Sequence, residues 1–283
     1  MSTLLTCLAI LVAGCLVTGI SILLVRKFVP EHLRGSEERR EPVFAFAGVL
    51  YALVIGFVLA YALDGYQTAE TAAGTEADSV SSLSRAATLF DAESRDRIGH
   101  ELICYSRAVV DDEWPAMEHG RRSELATAAT DRLFQSFGKL GRNSADNSAL
   151  STSLERVSDL QKARATRLLK SDTFLPTMFW VFMVVGGFML ILFATVLKGR
   201  EPIRGQVMFI LPVSLLLICS IYLVYVFEQP FRGPNEIKPR AMERALVSVT
   251  EFIPDPRADP PPPLPPPAPP PPPQTHPPPP GSP

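Results

Sequence analysis

The residues that could do chemistry in this chain of 283 residues are few and far apart. The histidines, His32, His100, His119 and His276, are scattered, and no Ser/His/Asp or Cys/His arrangement forms around any of them. General acid/base work wants paired ionisable groups in an apolar pocket, and no pair of carboxylates shows that pattern. Cys7, Cys15, Cys104 and Cys219 make neither a Cys-x-x-Cys pair nor a Cys/His cluster, so neither zinc nor a disulfide framework is suggested. Asp111-Asp112-Glu113 is an acidic run of the kind that can bind a hard cation, although such runs more often mark a solvated helix end. Lys162, Arg164, Arg167 and Lys170 form a basic ladder that could draw anions to a pore mouth or hold anionic lipid headgroups. The reading is no enzyme, no cofactor and no metal. A net charge of −2 gives no reason to expect nucleic-acid binding.

The elements that must position these residues are dominated by four apolar runs, Leu4 to Val25, Val43 to Leu63, Phe174 to Leu197 and Val207 to Phe227, none of which contains Asp, Glu, Lys, Arg or His. Lipid offers no partner to backbone N–H and C=O groups, so roughly 20 apolar residues in helical form are needed to cross a bilayer. Each run meets that length. The chain is expected to be all-α and to cross the cell membrane several times, with membrane lipid as its first partner. It divides into a first helix pair (1–63), a helical extramembrane domain (64–173), a second helix pair (174–229), a short amphipathic segment (230–253) and a disordered proline-rich tail (254–283) whose partner is unknown. Val12-Ala13-Gly14-Cys15 looks like a lipoprotein cleavage box. The stretch Met1–Thr6 lacks a basic front and the apolar run continues to Val25, so a retained transmembrane helix is expected instead.

The second run has two faces of interest. Gly48, Ala52, Gly56 and Ala60 recur every fourth residue and stack on one side, where small residues let helices approach closely in lipid. Phe46, Leu50, Leu53 and Phe57 form a bulky row that could make a hydrophobic constriction in a symmetric ring. No turn signal separates this run from the polar middle. Spans two and three are therefore expected to extend beyond the bilayer as antiparallel helices, with the break before span three at Pro176. Register arithmetic then places Glu76 near Arg164 and Glu70 near Arg167. Further breaks are expected near Asp91–Arg97, at Trp114-Pro115 and around Gly141–Asn147. Ala241 to Ile253 could form an amphipathic helix with Met242, Leu246, Val249 and Ile253 on one face.

Several motifs resemble one family. Gly48-x-x-Tyr51, Gly56-Phe57-Val58, Ala69, Glu76-Ala77, Tyr105, Glu113-Trp114-Pro115 and Gln229-Pro230-Phe231-x-Gly233 occur in the order found in the bacterial domain of unknown function described as bestrophin-like. The resemblance covers roughly Arg40 to Leu246. It implies the fold of bestrophins, which are pentameric anion channels with four spans and a large helical intracellular part, and it brings no catalytic residues. The proline-rich tail is a departure that the resemblance does not explain.

Membrane-embedded ionisable residues usually accompany ion-coupled transport, and these runs have none. The expected function is therefore a homo-oligomeric bestrophin-like channel, conducting anions by resemblance. The alternative is a non-conducting scaffold or sensor that recruits partners through its helical domain and tail. Positive charge is balanced across the two sides. The basic rear of the first helix favours termini outside, and the resemblance favours termini inside.

Overall fold

The 48 residues Arg40–Ala87 form one unbroken helix, and the other elements are arranged along it. The computed structural model describes residues 3–31, 34, 40–140, 147–172 and 175–252. The proline-rich tail 254–283, Ile253, the expected break over 141–146 and the start of the third apolar run at Phe174 lie outside the described residues. Among the described residues every regular element is helical. They are α1 (Thr3–Phe28), α2 (Arg40–Ala87), α3 (Ala92–Ala108), α4 (Trp114–Glu118), α5 (Glu124–Leu140), α6 (Asn147–Lys170), α7 (Thr177–Leu197), α8 (Ile203–Glu228) and α9 (Arg240–Phe252). Four of them, α1, the first half of α2, α7 and α8, are long and apolar enough to cross a membrane, as the lengths of the apolar runs predict.

In the membrane half, Tyr51, Ile55, Val58 and Ala62 of α2 pack against Met183 of α7 and Val224 of α8. The Tyr51 hydroxyl donates to the Met183 carbonyl at 2.6 Å. A Cβ at Gly186 would lie 2.9 Å from the Tyr51 ring, and one at Gly187 would lie 2.8 Å from its hydroxyl. The Gly186-Gly187 pair is therefore the notch that admits this ring. Helix α1 joins α7 and α8 through buried hydroxyls: Thr18 Oγ1 donates to Ser214 Oγ at 3.1 Å, and Thr195 Oγ1 lies 3.2 Å from Ser21 Oγ. Such contacts hold helices together where no hydrophobic drive separates protein from lipid. Gly14, inside the cleavage-like box, faces the Leu215 side chain, which a Cβ would meet at 2.6 Å.

Beyond the bilayer α2 continues with alanines on its buried side. Ala69, Ala73 and Ala77 lead to Val80 and Leu83, and they meet Ile98 and Leu102 of α3, Val157 and Leu160 of α6, and Met242 and Val249 of α9. Each fully buried Leu, Ile or Val contributes about 1.5–3 kcal/mol. The amphipathic helix expected after residue 240 is α9, docked on this core.

Two expectations need correction. Span three does not run on as one helix: α6 stops at Lys170 and α7 starts at Thr177 behind Pro176, because proline has no N–H to donate and disfavours a helical residue before it. Trp114-Pro115 does not close a helix. The chain passes from α3 through a π-helical turn, Val109–Glu113, into α4, where Pro115 sits in the first turn and the helical path continues to Glu118. The break expected near Asp91–Arg97 is found at the leading edge of that stretch, between Ala87 and Ala92, where Asp91 caps α3 by accepting from the Ser94 amide at 3.0 Å.

Candidate functional site

Two places stand out, a closed cluster of charge in the extramembrane core and an open face along α2. The cluster starts from Arg167 of α6, which has no solvent exposure. Its Nε donates to Glu76 Oε2 at 2.6 Å and its Nη2 to Glu76 Oε1 at 2.9 Å, while Nη2 also reaches Glu113 Oε2 at 2.6 Å. Glu113 is shared with Arg164, whose Nη2 donates to Oε1 at 2.6 Å and whose Nε donates to Oε2 at 3.2 Å. Arg164 further donates to Thr127 and Thr130 of α5. The Tyr105 hydroxyl donates to Glu76 Oε1 at 2.6 Å, and the Arg167 guanidinium lies 4.8 Å from the Trp114 ring centre.

Local structure explains this convergence. Glu76 falls on the same side of α2 as the core alanines. The π-helical turn contributes an extra residue to one turn and directs Glu113 inward, while Asp112 instead accepts from Ser123. The acidic run Asp111-Asp112-Glu113 thus splits, and no group of three or more His, Cys, Asp or Glu among the described residues could hold a metal ion. Burial alone would raise the Glu113 carboxyl, but Arg164 and Arg167 outweigh it and hold it below the usual carboxylate range. Burial, with Glu76 beside it, pushes the Tyr105 hydroxyl well above its ordinary value. Two carboxylates and two guanidiniums satisfy one another's hydrogen bonds, so the cluster clamps α2, α3, α5 and α6 together.

The expected pairing is shifted in register. Glu76 pairs with Arg167 rather than Arg164, and Arg164 pairs with Glu113. Glu70 is exposed and lines a groove with Tyr66, Lys238, Arg240 and Arg244. The break at Pro176 is where it is expected, but the register arithmetic took no account of the offset it gives α6 relative to α7. The arithmetic also had no way to bring in Glu113 from a third helix.

The two sequence motifs meet at this cluster. Trp114 packs edge-on against Phe231 with ring centres 5.7 Å apart, and its indole N–H donates to the Ile237 carbonyl at 2.8 Å. Pro230 accepts from the Ile237 amide at 2.8 Å. Gly233 has φ +86°, which favours glycine and turns the chain toward α9. Glu113-Trp114-Pro115 and Pro230-Phe231-x-Gly233 are thus two halves of one joint.

The open face lies opposite the buried side of α2. Phe46, Leu50, Leu53 and Phe57 are 66, 47, 55 and 68% exposed. Ala52, Gly56 and Ala60 are also exposed, and a Cβ at Gly48 or Gly56 would have nothing within 4 Å. Among the described residues no helix of the same protomer packs on this small-residue stripe. Past the apolar stretch the same face carries Asp64, Thr68, Thr71 and Thr75, which line a groove of about 530 Å³ with Asp159, Lys162 and Thr166 of α6. Sequence reasoning read the apolar row and stopped short of this polar continuation, which three- and four-residue steps from Phe57 would have reached.

The family described as Bestrophin-like domain matches residues 12–242. A point variant of a bacterial Bestrophin homolog from Klebsiella pneumoniae is similar in fold, with a TM-score of 0.69 at 12% identity over 87% of this chain and 98% of that one. The homolog solved by zinc phasing gives a TM-score of 0.68 at 12% identity, over 87% and 97%. A further variant gives 0.69 at 13% identity, over 89% and 98%. No curated protein matches the chain at a significant level.

Proposed function

We propose, from the premise that this chain belongs to the Bestrophin-like family, that it is a multi-pass membrane protein whose copies assemble around an axis into an ion channel lined by α2. The observation that carries this reading is the open face of α2. In the protomer it keeps Phe46, Leu50, Leu53 and Phe57 uncovered in a single row, while the opposite side is fully engaged by α7 and α8. Around an axis that row closes into a hydrophobic constriction, which gates by dewetting and needs no charge. The stripe of Gly48, Ala52, Gly56 and Ala60 lies roughly a third of a turn away, where it would meet a neighbouring copy. The buried ion cluster and the Trp114–Phe231 joint brace the extramembrane end.

Mass measurement in detergent, followed by ion flux from liposomes, tests the reading. A multimer that conducts, with flux altered by Gly56→Leu, supports it. A monomer removes the shared pathway. A stable multimer that passes neither anions nor cations supports the non-conducting scaffold instead. The bestrophin resemblance implies anions.

A further inference from the structure

Helix α1 reaches α7 and α8 through Gly14, Thr18 and Ser21, which meet Leu215, Ser214 and Thr195. Toward the extramembrane domain a cavity of about 470 Å³ opens along the seam of α7 and α8. Val17 of α1, Trp180, Gly187 and Ile191 of α7, and Leu217 and Tyr225 of α8 form its wall with their neighbours. Among the described residues the wall carries no Asp, Glu, Lys, Arg or His, and its polar side-chain atoms belong to Trp180, Tyr222 and Tyr225. These three rings cluster, with centres 6.4 Å apart for Trp180 and Tyr225 and 6.3 Å apart for Tyr222 and Tyr225. They lie toward the start of α7 and the end of α8, the level at which Trp and Tyr bridge hydrocarbon and water. From Trp180 to Ile191 the cavity follows eleven steps of helix, about 16 Å. That is roughly half of a ~30 Å hydrocarbon core, the depth of one leaflet. Helices α7 and α8 pack on the engaged side of α2, so the cavity faces away from the open row of Phe46 and Phe57. Its surroundings are therefore lipid, and an empty slot there would forfeit dispersion contacts on every wall.

We propose that this cavity binds one acyl chain of a phospholipid from the leaflet on the side of the extramembrane domain. The ester carbonyls lie level with Trp180, Tyr222 and Tyr225, whose N–H and O–H groups are the donors at that depth. The chain runs down to Gly187, which is also the residue that admits the Tyr51 hydroxyl of α2. The site stands whether or not α2 lines a pore. The sequence has two tryptophans, Trp180 at the mouth of the cavity and Trp114 in the extramembrane core. A phospholipid brominated on its acyl chain quenches an indole on contact, so Trp114 serves as the internal reference. Full-length protein in dodecyl maltoside is titrated with dibrominated phosphatidylcholine, and retained lipid is weighed by native mass spectrometry. Wild-type quenching is expected to saturate at a single lipid per protomer, with that lipid still bound in the mass spectrum. Val184→Phe combined with Ile218→Phe fills the cavity from two wall positions outside the buried core, and should abolish both signals at an unchanged melting temperature. Val184→Phe alone, at a residue 54% exposed, should remove part of the saturable quenching. Quenching that rises without saturation and is equal in wild type and variants would mean annular lipid only and overturns the proposal. So does an unquenched Trp180, which would mean that protein covers the mouth, or a retained species that has no acyl chain.

Discussion

A guanidinium cut off from water must find every partner inside the protein, and Arg167 does so with Glu76, Glu113, Met117 and the face of Trp114. Replacing it with Met leaves two carboxylates buried with too little positive charge. Breaking a buried pair in this way costs about 3–5 kcal/mol. Arg167→Met is expected to lower stability by that amount, read by urea unfolding in detergent through Trp114 fluorescence. Adding Glu76→Gln to Arg167→Met should cost less than the two single changes summed, since fewer orphan charges remain. The depressed carboxyl of Glu113 gives a pH signature with a definite sign. Its contribution is complete above the unfolded carboxylate value of about 4.3 and is lost as pH falls through the lower folded value. Thermal melts should therefore drop on acidification below pH ~4, and Glu113→Gln should flatten that part of the curve. An unaltered slope in that variant would show that other carboxylates govern acid unfolding.

At the scale of the element, Tyr51 sets the distance between α2 and α7. Gly186→Leu forces a side chain into the space of the Tyr51 ring, and overpacking of this kind costs about 1–3 kcal/mol. Pairing it with Tyr51→Ala should recover part of the loss in a thermal melt. Recovery would not occur if Gly186 served as a hinge. The spans themselves were legible because lipid imposes one length on any crossing helix, and the run-on of α2 past Leu63 was legible because nothing in Asp64–Ala87 stops a helix. The ion register was not. Pairing between two long helices depends on their axial offset, and the proline break between α6 and α7 resets that offset. The inward turn of Glu113 depends on one π-helical turn, for which Val109–Glu113 carries no sequence mark. The purpose of Gly186-Gly187 became visible only once Tyr51 was seen across from it.

For the molecule as a whole, the folded protomer leaves one side of its central helix unfinished. Gly56→Leu adds a side chain where a Cβ meets nothing within 4 Å, so the melting of an isolated protomer should be unchanged while the distribution of assembly masses shifts. An unaltered mass profile would place the contact between copies elsewhere. Phe57→Ala removes bulk from the apolar row and is expected to raise ion flux from liposomes; an unchanged rate would take Phe57 out of the narrowest point. Helix α2 also has a mechanical consequence. At 1.5 Å per residue its 48 residues make a strut about 72 Å long. It carries Phe57 about 26 Å from its start and, about 28 Å further along, Glu76, pinned by Arg167. Leaning that strut by ~5° about the pinned Glu76 carries Phe57 through ~2.5 Å, so a push on the distal end arrives at the narrow ring as sideways travel.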